Sequence, residues 1–250
     1  MIDVSVLMPA IRTPFWKNMF HSLRESCSIY KFELVLVSPF DLPDELKSES
    51  SINLVKDYGS PTRAAQIGLT KCQGRLVYHC TDDALFYPKQ IDRAIFMYDE
   101  TCRRKDCVNM RYREGFEWSG GDYPSDYWMA YYHDSMRLPG VKANWKIAHH
   151  HLIDNGYLHE LGGYDCSYEY MTHALCDVMF RLQCIGGKIF DSTTHVTTCN
   201  QFANETVDHS PVHHAQAADQ ILFEKNYVNK DYAYDHLQIP IDNWKNSPKI

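Results

Sequence analysis

In the first third of the chain, short apolar runs alternate with stretches of helical spacing, and proline, serine or glycine closes the segments. Residues 4–8 (Val4, Ser5, Val6, Leu7, Met8) stop at Pro9, residues 32–37 stop at Ser38-Pro39, and residues 75–80 run into Thr81-Asp82-Asp83. Apolar runs of this length bounded by turn residues predict buried strands. Residues 53–56 predict a further short strand. Residues 16–26 bring Trp16, Phe20 and Leu23 to one helical face. Residues 62–71 read as a second helix, set between the turn Tyr58-Gly59-Ser60-Pro61 and Gly74. Strand, helix, strand, helix, strand is the pattern of an α/β domain with a mostly parallel central sheet flanked by helices. Such sheets bind ligands outside the carboxyl ends of their strands. Pro9-Ala10-Ile11-Arg12, Ser38-Pro39 and Thr81-Asp82-Asp83 all fall at such ends, so they are expected to converge on one crevice.

The chain of 250 residues has the length of one domain, or of one domain with a C-terminal extension, and its 44% of hydrophobic residues suffices for a real core. A net charge of -7 argues against nucleic acid as the main partner, because phosphate binding along a strand needs concentrated Lys and Arg. A pocket for one diphosphate remains compatible with it. No apolar stretch approaches the roughly 20 residues of a membrane span. The opening run has no basic leader, and the nine cysteines are scattered without CxxC pairs. The expectation is a cytoplasmic protein with reduced thiols and no transmembrane segment; the oligomeric state is left open. Beyond residue 110 the pattern is less regular: an aromatic-rich stretch to Tyr132, a glycine turn at 161–165, a strongly helical stretch at 170–184, and a histidine-bearing tail after Ala203.

Adjacent carboxylates at a strand end repel unless a cation or water compensates them. Asp82-Asp83 is therefore either a solvated turn or a cation site, and Mg2+ and Mn2+ favour one or two carboxylates together with substrate phosphates. Arg12 and Arg63 lie in or beside strand-end loops, where a guanidinium meets phosphate oxygens or simply faces solvent. Pro9, Ala10, Ser38 and Tyr58 are positioned to line a nucleotide. Trp118 and Trp128 sit among glycine, proline and acidic residues, a setting that suits either ordinary loop packing or a sugar platform, since aromatic faces pack on the apolar faces of sugar rings. Of 13 histidines, His195 and His209 stand late in the chain, His209 just before the Ser210-Pro211 turn, and a lone histidine is more often a structural residue than a ligand.

Segment 74–88, with Gly74, an apolar strand, Thr81-Asp82-Asp83 and Pro88, resembles the surroundings of the DxD motif in family-two glycosyltransferases. The start (Val4 to Ala10) is similar to that family's first strand and proline, and Gly59 to Leu69 to its glycine-led helix. Leu161-Gly162-Gly163-Tyr164-Asp165, followed by Asp177, Arg181 and Gly186-Gly187, resembles its acceptor-side signature. The resemblance spans roughly residues 3 to 195, in the family's order. It implies a GT-A type fold in a single domain over 1–250: a nucleotide-sugar-binding half at 1–110, an acceptor-binding half at 111–200 and a tail at 201–250. It implies a sugar moved from a nucleoside-diphosphate donor to a glycan or other hydroxyl acceptor by an inverting displacement with Mn2+ or Mg2+. Asp83 and His209 would hold the metal, Asp82 would lie beside the donor, and Asp165 beside the acceptor. Thr81 stands where the motif's first acidic residue is expected, and Ser38-Pro39 replaces the acidic end of the second strand. Ala174-Leu175 replaces an acidic pair, which leaves Asp177 as the expected base; its alternative is an i,i+4 ion pair with Arg181. A non-catalytic carbohydrate-binding module and a sugar-phosphate nucleotidyltransferase are the competing readings.

Overall fold

The computed structural model describes residues 1–114, 146–199, 215–227 and 238–247. Four parallel strands form its first half: β1 (Val4–Pro9), β2 (Phe32–Ser38), β3 (Ile52–Lys56) and β4 (Leu76–His79). β1 pairs with β2 on one side and β4 on the other, with Leu7 opposite both Val35 and His79. Three strands complete the sheet: β8 (His151–Asp154), antiparallel to β4, then β6 (Cys107–Asn109) and β9 (Ile189–Asp191). The order is β3-β2-β1-β4-β8-β6-β9. A small second sheet joins β5 (Leu85–Phe86), β10 (Thr197–Cys199) and β7 (Tyr112–Glu114).

The period of two along each strand divides the core into layers. Val4, Val6, Met8, Leu34, Leu36 and Tyr78 face α1 (Trp16–Ser26) and α3 (Gln90–Thr101), meeting Trp16, Phe20, Leu23, Ile91 and Ile95. Leu7, Val35, Val77, Cys107 and Ile153 face the opposite way. They pack on α2 (Pro61–Leu69), α4 (Asn155–Glu160) and α5 (Met171–Cys184) through Ala65, Leu69, Leu158, Val178 and Leu182. Both faces of the sheet are thus covered, which explains why its strands read as continuous apolar runs. The last described α-helix, α6 (Gln216–Tyr227), packs Phe223 and Tyr227 on Phe180 of α5.

Two local devices set the elements that border the crevice. Ser60 caps α2 by accepting from the Arg63 N–H at 3.2 Å, and Pro61 follows at the first helical position. Gly162 and Gly163 turn the chain with φ of 84° and 72°. A Cβ on Gly162 would lie 1.8 Å from the Ile239 carbonyl oxygen, so the C-terminal segment lies directly on this turn.

Candidate active site at the carboxyl ends of the strands

The loop after β1 and the loop after β4 are joined by one carboxylate. Asp82 Oδ2 accepts from the backbone N–H groups of Ile11 at 2.7 Å and Arg12 at 2.6 Å and from Trp16 Nε1 at 3.1 Å. Its Oδ1 accepts from Arg12 Nη1 at 2.6 Å. Both oxygens are engaged and the residue is 1% exposed. Asp82 therefore shapes the 10–16 loop: it meets two backbone donors that a sharp turn off a strand would otherwise leave unmade. Trp16, which the helical spacing assigned to a buried face, also contributes its indole N–H here. That role was not foreseen, although a tryptophan four residues after Arg12 on a strand-end loop is a usable signal.

Asp83 is the neighbour of a different kind. Its Oδ1 lies 3.7 Å from Arg12 Nη1, beyond hydrogen-bond length, and the residue is equally buried. One guanidinium thus faces two carboxylates. Burial alone would lower the Arg12 pKa, but the negative charges of Asp83 and Asp82 outweigh it and raise the pKa. Thr81, before the pair, donates to Cys199 Sγ at 3.6 Å, so the end of β10 abuts the acidic motif. No cluster of three or more His, Cys, Asp or Glu arranged to hold a metal occurs among the described residues. The donor set suits a cation that one carboxylate shares with substrate phosphates and water, which is how Mg2+ is usually bound, rather than an all-protein cage.

The remaining expected residues distribute around this centre. Pro9 and Ala10 end β1, and Ser38 ends β2 with its hydroxyl accepting from the Phe40 N–H at 3.0 Å. An open groove of about 550 Å³ separates Thr13, Pro14 and Lys17 from Phe40, Leu42 and Pro43, beside these strand ends. Tyr58 is exposed. Arg63 is buried: its Nε donates to Asp57 at 3.1 and 3.2 Å, its Nη1 donates to the carbonyls of Trp244 and Ser247, and Trp244 stacks over it. Arg63 thus ties the C-terminal segment to the end of β3. Asp57 was missed by sequence reasoning, which looked for an acidic residue after β2; the carboxylate comes one strand later, and the Asp57 N–H donates to Ser38 O at 3.4 Å.

Asp177 and Arg181 form the i,i+4 pair. Arg181, with no exposed surface, donates from Nε to Asp177 Oδ2 at 2.8 Å and from Nη1 to Leu161 O at 2.6 Å, and Nη2 bonds Gly163 O. The other oxygen, Asp177 Oδ1, accepts from Tyr227 Oη of α6. Asp177 is thus enclosed, with both oxygens occupied, in a clamp that holds α5 and α6 against the glycine turn. Burial raises its pKa, and Arg181 works against that rise. Asp165 is half-buried and accepts from the N–H and hydroxyl of Ser167 at 2.9 and 2.7 Å. Trp118, Trp128 and His209 lie outside the described residues.

A polar row crosses the same end of the sheet, because the strand register sets His79, His151, Asn109 and Asp191 side by side. The rings of His79 and His151 stack with centroids 5.3 Å apart. The His151 pair of bonds fixes its tautomer: Nδ1 faces Ala148 O at 3.1 Å and must donate, leaving Nε2 to accept from Tyr164 Oη at 3.0 Å. Burial drives His150 down to about 3 and His151 to about 4, and it also lowers His79 well below the ordinary value, so all three are neutral.

No protein-family model and no curated protein matches the sequence. Solved structures do match the fold. S. aureus TarS 1-349 in complex with UDP aligns with a TM-score of 0.57 at 10% identity, over 80% of this chain and 60% of that one. The same TarS fragment with UDP-GlcNAc aligns at 0.59 and 12% identity, over 98% and 74%. GalNAc-T7 with UDP, GalNAc and Mn2+ aligns at 0.58 and 15% identity, over 80% and 44%. The chain therefore spans only part of the length of these proteins. Likeness at this level of identity establishes the fold, and the fold is that of GT-A type glycosyltransferases.

Proposed function

We propose that this chain, built on the GT-A fold, moves a sugar from a nucleoside-diphosphate donor to a hydroxyl of a glycan or another acceptor. The observation that carries the proposal is the pairing of Asp83 with Arg12 at the strand ends, on loops anchored by Asp82. A carboxylate for a cation and a guanidinium for phosphate are the two groups that a diphosphate leaving group requires. Donors of the uridine series are favoured, because the fold's neighbours were solved with UDP, UDP-GlcNAc, or UDP with GalNAc. Pro9, Ala10, Ser38 and Tyr58 would line the nucleotide, and Arg63 would support that wall through Asp57 and the C-terminal segment.

Asp83, with His209 and the diphosphate oxygens, would hold Mn2+ or Mg2+, whose chemistry when bound is to neutralise negative charge on the departing phosphate. An inverting displacement needs no protein nucleophile, so the protein's tasks are to orient the acceptor and to receive its proton. Trp118, Trp128 and Asp165 would present the acceptor. A base role for Asp177 requires Tyr227 to release Oδ1, so the enclosed geometry favours the clamp over the base. Nine free cysteines support a reducing compartment such as the cytoplasm. No described helix is long and apolar enough to cross a membrane.

The enclosure of Asp177 and the absence of an acidic residue at Ala174 and Leu175 also favour a second reading, a sugar-nucleotide-binding module without turnover. Thermal shift with UDP-, GDP- and dTDP-sugars, with and without Mn2+, tests both. Stabilisation by one nucleotide series, with slow hydrolysis of that donor, is expected of a transferase. Stabilisation without any hydrolysis or transfer identifies the module, and no stabilisation by any of them would sink both.

A further inference from the structure

The C-terminal segment at 238–247 lies between α2 and the glycine turn, held there by three polar side chains. Gln66 of α2 donates from Nε2 to Ile241 O at 2.7 Å and to Gly162 O at 2.8 Å, while its Oε1 accepts from the Tyr164 N–H at 2.7 Å. Asn243 accepts from the Cys166 N–H at 2.8 Å and donates to Tyr164 O at 3.1 Å. Arg63 precedes Gln66 by three residues, on the same face of α2. It donates to Trp244 O and Ser247 O, and the Trp244 ring lies over its guanidinium, 5.2 Å away. This cover is polar and shallow. Ser247 alone of its ten residues is buried, and five are exposed. Segments with few buried apolar contacts open at the low end of a protein's stability range. Arg63 and Gln66 beneath it are polar as well, and polar contact surfaces are the ones that part and re-form, whereas permanent ones are more apolar.

What the segment fixes lies on the nucleotide side. Arg63 Nε donates to both Asp57 oxygens, and Asp57 Oδ2 accepts from the Gly59 N–H at 3.0 Å. The Arg63 side chain also lies on the backbone of Gly59, where a Cβ would collide with it. Asp57 and Gly59 flank Tyr58, which is exposed. With the segment docked, the guanidinium is gripped from two sides, by carbonyls and an indole on one and by a carboxylate on the other. With the segment released, it keeps only Asp57 and turns its other donors to water, and the 57–60 turn loses that support.

We propose that residues 238–247 act as a reversible strap that positions the nucleotide wall: docked, it holds Arg63 and the turn bearing Tyr58 in the shape that takes the nucleotide, and released, it weakens nucleotide binding. Trp244 and Asn243 are its positioning residues. The inference rests on the donor-site reading above, in which Tyr58 lines the nucleotide, and adds a control over that site from the C-terminal side. By linkage, docking tightens the nucleotide by the same factor as the nucleotide favours docking.

Hydrogen exchange of the whole chain, read by mass spectrometry over 238–247 with and without UDP and MnCl2, tests it together with calorimetric titration of UDP. In the wild type, saturating UDP slows exchange across 238–247 by roughly 5-fold or more, the lower end of a usual two-site coupling. Trp244→Ala speeds exchange there and weakens UDP by roughly 5-fold or more. Asn243→Ala, whose lost bonds run to the glycine turn rather than to Arg63, has the same two effects. Trp244→Phe keeps an aromatic face over the guanidinium and tracks the wild type. UDP that binds the wild type and leaves exchange across 238–247 unchanged overturns the strap, a measurement that needs no variant. So does a Trp244→Ala or Asn243→Ala protein that exchanges faster there and still binds UDP as the wild type does. UDP binding that fails at every Mn2+ concentration overturns the donor-site reading, and this inference with it.

Discussion

Replacing Asp177 with alanine removes the counter-charge of a guanidinium that has no water to turn to. Arg181 has no exposed surface and spends its donors on Asp177 Oδ2, Leu161 O and Gly163 O. After the substitution two carbonyls still accept from it, but no negative charge remains in contact, and Tyr227 Oη loses its acceptor. Removing one partner of a buried pair costs about 3–5 kcal/mol, because the other charge is left uncompensated. At about 2–4 °C per kcal/mol for a chain of this size, the melting temperature should fall by roughly 6–20 °C. Urea unfolding followed by circular dichroism, with thermal melts in parallel, measures the loss. Arg181→Met added to Asp177→Ala should recover most of it, since a buried pair exchanged for apolar side chains is often neutral. A loss below about 1 kcal/mol in Asp177→Ala would refute the clamp. An Asp177→Asn protein that melts like wild type and binds UDP, yet no longer transfers sugar, would make Asp177 the base instead.

Asp82 and Asp83 should respond differently to substitution. Asp82→Ala orphans three N–H donors at about 1–3 kcal/mol each, so it should destabilise the protein by about 3 kcal/mol or more and abolish UDP binding. Asp83→Asn keeps the side-chain shape and should lose the Mn2+-dependent part of UDP stabilisation in a thermal shift; equal behaviour of the two variants would remove the division of labour. Gly162→Ala places a methyl against Ile239 O at positive φ, so the 238–247 segment should be displaced and become cleavable by a protease under conditions where wild type resists. The neutral histidines give a pH signature. His150 and His151 titrate at about 3 and about 4 when folded, below the roughly 6.5 of the unfolded chain. Their contribution is complete above pH 6.5 and is lost as pH falls toward 4, reaching roughly 2 kcal/mol per histidine by pH 5. Unfolding free energies that stay flat between pH 7 and 5 would contradict this.

The first half of the fold was legible because its signals are local. Helix α1 occupies the residues 16–26 that its spacing predicts, and β2 extends the predicted run by one residue to Ser38. Helix α2 starts one residue earlier than expected and ends two earlier, since Pro61 is accommodated at its first position and Thr70 and Lys71 turn off its end. Helix α3 was legible and went unread: Ile91, Ile95 and Tyr98 repeat at helical spacing and are all buried. Strands β6, β7, β9 and β10 have three residues each, too few to show a period, and they exist because a neighbouring strand offers its hydrogen bonds.

The acidic motif divides along the same line. Chain order and hydrophobic patterning determined that Asp82-Asp83 would end a buried strand, beside the loop that carries Arg12, at the edge where such sheets bind ligands. Which aspartate is spent on bracing the 10–16 loop was decided only by tertiary structure. Asp82 meets donors contributed by residues 11 to 16, some 70 positions earlier in the chain. Asp177 likewise reads as one half of a helical pair, and only the arrival of Tyr227 from α6 closes it off. A carboxylate's identity is written in the sequence, but the number of its lone pairs left for a ligand is set by donors that folding brings from elsewhere.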